Sequence, residues 1–331
     1  AAHCVCSETG AECQPGGSAV DDPASLLVYL QHGGLSRVSS IAIQPGYEFA
    51  VAKDVAVLKL ESPVTGIVPA RLNTTATPSP GTRGTIVGFG MTGGSNDDFG
   101  LKQVGKVTTA TCSNVPDGAY VCWDFTSPVG PPGEDSNTCF GDSGGPLFVD
   151  FGAGPTVAGI TSGGGGQTCL PVDYAFDTDV FVERAFIESQ GGSDLGNESC
   201  GNVSQVGDEG TTVSFGVGAL SAAEPSDGWT FEVPTGTARL LVTLNGENTW
   251  PNDFDLGVNA GAPPLPEEPD CLSVRFSQFE VCEIADPEPG PWYAVVSRFD
   301  GAGEYQLIVT TFSVPTSCGC LLYTSPSPRD S

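Results

Sequence analysis

A serine lies in the middle of a glycine-rich run, GDSGGPL, at residues 141–147. A serine hydroxyl becomes a useful nucleophile only when a base stands beside it and donors surround the oxyanion that its attack creates. Glycines around Ser143 let backbone N–H groups turn toward that oxyanion, because no side chain stands in the way. The run therefore predicts a nucleophilic serine, and the alternative is a glycine-rich turn between two strands.

The base should be a histidine, and the chain contains only two, His3 and His32. His3 lies in the run AAHC, where the following cysteine could fix the loop, whereas His32 lies in QHGG, which is typical of an exposed turn. The orienting carboxylate is best placed at Asp54, which opens the alternating segment DVAVLKL at residues 54–60. Taken alone, Asp54 would be interpreted as a turn cap before a strand.

These three motifs together resemble the trypsin/chymotrypsin family of serine proteases, since AAHC, DVAVL and GDSGGPL occur in that family's chain order. The resemblance covers residues 1–189 and implies two antiparallel β-barrels with the site between them. It also implies that His3 is the general base and acid, that Asp54 orients it, and that Ser143 is the nucleophile. The implied function is a secreted endopeptidase that cleaves peptide bonds through an acyl-enzyme on Ser143.

The same resemblance assigns roles to residues around these three. The backbone N–H groups of Gly141 and Ser143 would form the oxyanion hole. Ser162 matches the family's serine that hydrogen-bonds the triad aspartate. Asp142 would pair with the new N-terminal ammonium that zymogen cleavage releases, which sets the oxyanion hole and the specificity pocket.

The specificity pocket differs from that of trypsin. Asn137 stands six residues before the nucleophile, at the pocket floor, where trypsin-like specificity needs Asp. Val172 replaces a glycine that keeps the pocket wall open, and Gly164 would line the edge that binds the substrate strand. Such a shallower, uncharged pocket favours small or medium apolar side chains. A shift of one residue around 170–173 would bring Asp173 or a glycine into this position and change the prediction.

Two other functions fit the same residues. A serine esterase on the same fold would use the same acyl-transfer chemistry on ester substrates. A non-catalytic homologue would act as a binding module, but the presence of all three triad residues argues against it.

The elements that must position these residues are predicted to be short strands, because 45 Gly and 27 Pro disfavour long helices. Alternation of apolar and polar residues indicates strands on both sides of a domain boundary that we place near residue 189. One helix is predicted at 180–189. The fold class is therefore all-β, a double antiparallel β-barrel with an incomplete first barrel followed by a β-sandwich. The predicted strands are 24–30, 38–43, 54–60, 84–88, 147–149, 157–161, 229–233, 238–244, 254–258, 292–296 and 305–310.

The second domain is predicted to follow a polar linker at 190–199. Residues 200–313 resemble the bacterial pre-peptidase C-terminal domain, which implies a jelly-roll-like β-sandwich that aids secretion, binds substrate or is removed during maturation. Asp253 and Asp255 leave one side of a strand and could hold Ca²⁺ together with Glu280 and Asp300, since Ca²⁺ prefers several oxygen ligands. The alternative is a solvated acidic edge. No cofactor is required for the predicted catalysis.

The net charge of −28, from 12 basic and 40 acidic residues, argues against nucleic acid and against anionic membranes as partners. No apolar run approaches the roughly 20 residues that span a bilayer. The expected partners are protein or peptide substrates, and the expected state is a monomer.

Twelve cysteines indicate disulfides in an exported protein, because only two histidines accompany them and zinc-type spacings are missing. We therefore expect an extracellular or periplasmic location, although no signal peptide opens the chain. The family pattern and short loops suggest the pairs Cys112–Cys122, Cys139–Cys169, Cys6–Cys13, Cys271–Cys282 and Cys200–Cys318. Cys4 is left over, because its family partner lies upstream of the histidine.

Both ends of the chain are predicted to be unnatural. The chain starts at the histidine loop, so we expect a fragment whose first barrel cannot close and which is itself inactive and poorly folded. Residues 320–331 resemble a translated sequencing adapter, the alternative being a Ser/Pro-rich tail, and 314–319 form an uncertain tail.

Overall fold

The computed structural model describes residues 1–6, 20–96, 98–116, 118–126, 133–166, 168–192, 203–263 and 269–314. Regular structure within these ranges is almost entirely β. The first domain contains β1 (Leu27–Leu30), β2 (Gly34–Ile43), β3 (Ala56–Leu60), β4 (Arg83–Gly88), β5 (Gln103–Thr108), β6 (Tyr120–Thr126), β7 (Pro146–Asp150), β8 (Pro155–Gly164), β9 (Val172–Asp179) and α1 (Val180–Gly191). The second contains β10 (Thr211–Leu220), β11 (Ser226–Val233), β12 (Thr237–Gly246), β13 (Asp253–Ala260), β14 (Cys271–Ser273), β15 (Glu280–Ala285), β16 (Gly290–Asp300) and β17 (Gly303–Ser313).

Six strands of the first domain form one curled antiparallel sheet in the order β5-β4-β7-β8-β9-β6. The side chains on its inner face are apolar and exclude water, which is the main source of stability for such a sheet. Ser143 lies in the turn that leads into β7, and Ser162 lies on β8 next to it. The inner-face core consists of Ile86, Val107, Val121, Trp123, Leu147, Val149, Ala158 and Ala175.

A second, three-stranded sheet in the order β1-β2-β3 stands beside the first. Helix α1 joins the two, because Val180 and Ile187 pack against Val55 at the start of β3. The helix begins at Asp179, whose carboxylate accepts the Phe181 N–H and so satisfies one of the free donors of the first turn. This packing fixes the segment that carries Asp54.

The second domain is a sandwich of two four-stranded antiparallel sheets, β10-β17-β12-β15 and β11-β16-β13-β14. Alternate side chains of each strand point into the space between the sheets, as the pleat requires. The largest members of the core are Leu240, Leu244, Phe254, Leu256, Trp292 and Tyr305, each at most 3% exposed.

The outer face of the β12 and β17 sheet packs on the first domain rather than facing water. Thr243 on β12 donates a hydrogen bond of 2.7 Å to the Gln31 carbonyl. Phe312 on β17 is fully buried, and a Cβ added at Gly66 would lie 2.5 Å from its ring. The two domains therefore meet over a close sheet-to-sheet contact.

The all-β prediction, with a trypsin-like sheet and a C-terminal sandwich, is confirmed. The strands β5, β6, β9, β10, β14 and β15 were not predicted from the sequence. The predicted helix extends two residues further than expected, to Gly191. His32 lies in a turn, but that turn is not freely exposed, because the His32 Nδ1 is 2.9 Å from the Thr310 hydroxyl of the second domain.

Three predicted disulfides are present: Cys112–Cys122, Cys139–Cys169 and Cys271–Cys282. Cys6 is also disulfide-bonded. Its predicted partner Cys13 and the predicted pair Cys200–Cys318 lie outside the described residues. Among the described cysteines, Cys4 is free and exposed.

Most of the predicted linker and the predicted adapter-like tail also lie outside the described residues. Within the described part of the chain, α1 is too short and too polar to cross a bilayer, and no other helix could do so.

Replacing a core leucine of the sandwich should destabilise it far more than replacing an exposed one. Leu256 is 0% exposed, whereas Leu272, on the adjacent strand, is 52% exposed. We expect Leu256→Ala to cost about 2–5 kcal/mol in the free energy of unfolding, because it leaves a cavity. Leu272→Ala should stay within about 0.5 kcal/mol. Urea unfolding followed by tryptophan fluorescence tests this, and equal costs for the two variants would contradict the assigned core.

Candidate active site

His3 and Asp54 form a close pair at the junction of the two sheets of the first domain. The His3 Nδ1 lies 2.6 Å from Asp54 Oδ2, and the His3 backbone N–H donates to Asp54 Oδ1 at 3.0 Å. His3 belongs to the short 3-10 helix Ala2–Val5, and Asp54 precedes β3. Two contacts to the same carboxylate fix both the position and the ring orientation of the histidine.

Asp54 has no exposed surface, so its negative charge needs partners inside the protein. Ser162 on β8 donates its hydroxyl to Asp54 Oδ2 at 2.6 Å. Thr178 on β9 donates to the Asp54 backbone carbonyl at 3.0 Å. The predicted support of Asp54 by Ser162 is thus seen in the geometry, and Thr178 is a further anchor that no sequence motif indicated.

The electrostatics of the pair follow from these contacts. Burial alone would lower the pKa of His3, but the hydrogen bonds to Asp54 and Cys4 and the negative charges of these two groups together outweigh it and raise the pKa to about 9. Burial alone would raise the pKa of Asp54, but hydrogen bonds from His3 and Ser162 lower it below its ordinary value. The carboxylate is therefore ionised and holds a proton on the imidazole Nδ1.

The turn at residues 141–145 presents Ser143 to solvent. Gly141 and Gly144 have φ angles of +91° and +86°, a region that favours glycine. The N–H groups of Asp142, Gly144 and Gly145 all donate within the turn or to β8. Among the described residues, no acceptor is found for the N–H groups of Gly141 and Ser143. Two neighbouring donors are thus left for a ligand.

The Ser143 turn lies against the 3-10 helix that carries His3. The Cys4 Sγ is 3.5 Å from the Ser143 carbonyl oxygen, and a Cβ at Gly144 would be 2.9 Å from the Ala1 nitrogen. Within the described chain no hydrogen bond joins the His3 ring to the Ser143 hydroxyl. The structure therefore brings the three predicted triad residues to one place with the His–Asp pair formed and the Ser–His bond open, which is common in ligand-free sites.

Asp142 points away from the solvent and into the domain. Its Oδ1 accepts the Gly90 N–H and its Oδ2 accepts the Cys139 N–H, both at 2.9 Å. Burial raises its pKa in spite of these two bonds, and no cationic side chain of the described residues forms an ion pair with it.

A cavity of about 370 Å³ opens beside Asp142. Its walls combine this carboxylate with apolar side chains, and neither His3 nor Ser143 reaches it. The apolar lining includes Ile86, Val87, Met91, Val104, Phe125 and Leu170.

The predicted pocket residues are only partly brought together. Asn137 accepts the Trp123 indole N–H at 3.1 Å and donates to Asp173 Oδ2 at 3.3 Å. Gly164 is exposed at the end of β8, opposite Ala175 in the β8–β9 register. Val172, at the start of β9, is 63% exposed.

Asp173 is the residue whose role the sequence alone left open. It is 8% exposed, and its Oδ1 accepts the N–H groups of Tyr174, Gly165 and Gly166. Together with the bond from Asn137, four donors face this carboxylate, so its charge is compensated although no ion pair to it is found within the described ranges.

An aromatic cluster borders the histidine. The Phe49 ring meets the His3 ring edge-on at 5.3 Å between centroids, and Phe176 lies 6.4 Å from Phe49. A Cβ at Gly163 would be 2.8 Å from the Phe176 ring, so the glycine leaves room for it. Phe49 is 46% exposed and offers an apolar surface beside His3. No motif predicted this cluster, because its members come from separate segments.

The acidic residues predicted to hold Ca²⁺ lie on one edge of the sandwich. The pKa values of Asp253 and Asp255 are raised first by burial and then by neighbouring carboxylates. The Glu280 carboxylate already accepts the Ser273 hydroxyl and the Arg275 N–H. Among the described residues no group of three or more acidic, histidine or cysteine side chains could hold a metal ion. Binding of Ca²⁺ by Asp253 and Asp255 stays a prediction.

Two family models match the chain: Trypsin over residues 1–187 and the bacterial pre-peptidase C-terminal domain over residues 225–298. A Lumbricus rubellus protein named fibrinolytic enzyme, isozyme C, is 32% identical over 157 residues, which are 42% of this chain and 63% of that protein. A trypsin of Saccharopolyspora erythraea is 35% identical over 144 residues, 40% of this chain and 59% of the relative. Trypsin iota of Drosophila melanogaster is 32% identical over 139 residues, 40% of this chain and 53% of the relative. The chain thus spans between 53% and 63% of the length of these relatives.

The two histidines should titrate on opposite sides of the ordinary value of 6.5. Although burial opposes it, the interactions with Asp54 and Cys4 raise the pKa of His3 to about 9, whereas burial and the Lys102 charge lower that of His32. The raised value means that the His3–Asp54 pair stabilises the fold fully below about pH 6.5 and that this contribution is lost as the pH rises toward 9.

NMR titration of the imidazole resonances measures both values, with His32→Gln identifying the signals. Asp54→Asn should lower the pKa of His3 and leave that of His32 unchanged. A His3 value at or below 6.5 in the unmodified chain would contradict the assigned pair.

Proposed function

Because the chain belongs to the trypsin family, we propose that it acts as a serine endopeptidase with Ser143 as nucleophile, His3 as general base and acid, and Asp54 as the orienting carboxylate. The observation that carries the proposal is the buried His3–Asp54 pair, at 2.6 Å, lying next to a serine turn with two unpaired N–H donors.

The proposed reaction transfers protons through His3 and an acyl group to Ser143 and then to water. The Ser143 oxygen attacks the substrate carbonyl carbon while Nε2 of the neutral His3 imidazole takes the hydroxyl proton. Because the pKa of His3 is about 9, the neutral form grows as the pH rises toward 9, and we expect the activity to rise with it. Asp54, which stays ionised, stabilises the imidazolium that forms. His3 then gives the proton to the leaving amine, the C–N bond breaks, and an acyl-enzyme remains on Ser143. Water, deprotonated by His3, hydrolyses this ester and restores the serine.

The oxyanion formed in each step would be held by the N–H groups of Gly141 and Ser143. The support for this role is that both are unpaired in the described chain, whereas the donors between and after them are used. Loss of one such donor costs about 10²–10³ in kcat in comparable sites.

Asp142 is proposed to pair with an N-terminal ammonium released by zymogen cleavage. A buried carboxylate without a cation beside a partly apolar cavity of about 370 Å³ suits an ammonium group followed by an apolar side chain. The pairing would hold Asp142, and therefore the adjacent oxyanion donors, in place.

The proposed side-chain preference is for small or medium apolar residues. The uncharged Asn137 and the four donors around Asp173 support it, because the carboxylate is already compensated. The apolar surface at Phe49 would contact the substrate beside the scissile bond. Hydrolysis of esters on the same site is the second candidate, since the acyl-enzyme chemistry is shared.

Secretion is proposed from the three described disulfides and from the two matched domain types. Oxidised cysteines persist outside the cytoplasm, and the strong negative charge suits solubility there. Protein or peptide substrates and a monomeric state complete the proposal.

A fluorophosphonate probe should label the full-length protein and not its Ser143→Ala variant, because only an activated serine reacts. Ser25→Ala, which removes an exposed serine of the 3-10 helix Pro23–Ser25, should label normally. Asp54→Asn should slow labelling by about 10⁴. Gel fluorescence after a time course measures all four proteins. Persistent labelling of Ser143→Ala would refute the assigned nucleophile.

Matched peptide and ester substrates with Ala, Val, Phe or Arg before the scissile bond separate the remaining alternatives. We expect peptide cleavage with kcat/KM highest for Ala or Val. Turnover of esters alone would favour the esterase. Preferred cleavage after Arg, lost in Asp173→Asn, would show that the Asp173 charge is available and would overturn the apolar preference.

A further inference from the structure

The second domain forms several hydrogen bonds to one short segment of the first domain. Residues 99–102, here called the support segment, connect the turn after β4 to β5. Asn245 Nδ2 donates to the Gly100 carbonyl at 2.9 Å, and the Asn248 N–H donates to the Phe99 carbonyl at 2.7 Å. Gln306 accepts the Lys102 N–H at 3.0 Å and donates to the Lys102 carbonyl at 3.2 Å. Three of the four residues are thus hydrogen-bonded to the sandwich.

Glycine is required at the centre of this contact. Gly100 has a φ of +108°, and a Cβ there would lie 2.1 Å from the Gly246 carbonyl oxygen. The backbones of the two domains can approach this closely only without a side chain. Asn245 itself is 0% exposed, and its Oδ1 accepts the Gln31 side chain at 2.9 Å. It therefore has little freedom to move away from Gly100.

The support segment in turn contacts the oxyanion loop, residues 140–143. The Gly100 N–H donates to the Phe89 carbonyl at 2.7 Å. The next residues along the chain then hold the loop: Gly90 N–H donates to Asp142 Oδ1, and Met91 N–H donates to the Phe140 carbonyl at 2.8 Å.

The segment also touches the loop directly. A Cβ at Gly141 would lie 3.7 Å from the Phe99 Cβ and 3.1 Å from the Gly90 Cα. Any displacement of residues 99–102 toward or away from the loop therefore reaches Gly141, whose N–H is one of the two proposed oxyanion donors.

We propose that the sandwich domain positions the oxyanion loop: Asn245 and Gln306 hold the support segment, and the support segment holds Gly141 and Asp142. Asn245 and Gln306 are positioning residues, since neither reaches Ser143. The proposal rests on the proposed function, because it assigns the second domain a part in stabilising the oxyanion of that same reaction. An intramolecular support of this kind reduces the reorganisation needed in the transition state.

The test compares two hydrogen bonds of the same domain contact in the full-length protein. Asn245→Ala removes the bond to Gly100, whereas the control Thr65→Ala removes the hydroxyl that accepts the Arg239 guanidinium of the second domain at 3.4 Å. Among the described residues, this hydroxyl bonds neither the support segment nor Gln31. Misplaced oxyanion donors affect the transition state more than substrate binding. We expect Asn245→Ala and Gln306→Ala to lower kcat about 10-fold with KM within about 2-fold, and Thr65→Ala to stay within about 2-fold in both.

Wild-type kcat in Asn245→Ala, or an equal loss in Thr65→Ala, would overturn the positioning role while leaving the proposed peptidase function intact. Amide hydrogen exchange of residues 139–145, followed by mass spectrometry, tests the positioning role without an activity measurement. Faster exchange in Asn245→Ala but not in Thr65→Ala supports the proposal, and unchanged exchange in both refutes it. If the wild-type protein fails to react with a fluorophosphonate, the peptidase function fails, and the exchange measurement still decides whether the sandwich holds the loop.

Discussion

A carboxylate without any exposed surface, that of Asp54, can stay ionised inside the first domain only if other groups replace the water that it has lost. His3 supplies a backbone N–H and a ring nitrogen, and Ser162 supplies a hydroxyl. These partners lie 51 and 108 residues away in the sequence, on separate parts of the fold. The three-stranded and six-stranded sheets must therefore meet at Asp54, and the position of His3 next to the serine turn follows from that meeting.

The turn around Ser143 shows the reverse situation, in which donors lack acceptors. There two donors, the N–H groups of Gly141 and Ser143, have no acceptor in the described chain, although those of Asp142, Gly144 and Gly145 are paired. A turn with unpaired donors needs other features to keep its conformation, and the positive φ values at Gly141 and Gly144 are one of them. The hydrogen bonds of Asp142 and the nearby support segment are another, and the support segment is hydrogen-bonded to the second domain. A domain with no catalytic residues of its own can in this way contribute to the chemistry of the first.

The contacts of Asp54 with His3 and Ser162 could be predicted from the sequence, because each motif is a contiguous run with a specific composition. The three described disulfides were also predicted, since each closes a short or a family-typical loop. Strand β9 was missed because aspartates alternate along it, and buried aspartates are rare. The structure compensates Asp173 with backbone donors and uses Asp179 to cap α1. Both Asp177 oxygens are buried with no hydrogen bond of ordinary geometry among the described residues, and burial raises the pKa of this carboxyl well above normal although Thr161 lies near enough to oppose the shift. Contacts such as Asn245 to Gly100 join residues 145 apart, and no local pattern encodes them.

The proposed reaction attaches a substrate acyl group covalently to Ser143. Rapid acid quenching of the full-length protein during turnover of a chromogenic ester, followed by peptide mapping in a mass spectrometer, locates such a group directly. We expect the mass of the acyl group on the peptide that contains Ser143, appearing with the initial burst of product and absent from Ser143→Ala. An acyl group on any other residue, or steady hydrolysis with no covalent intermediate and no dependence on Ser143, would contradict it.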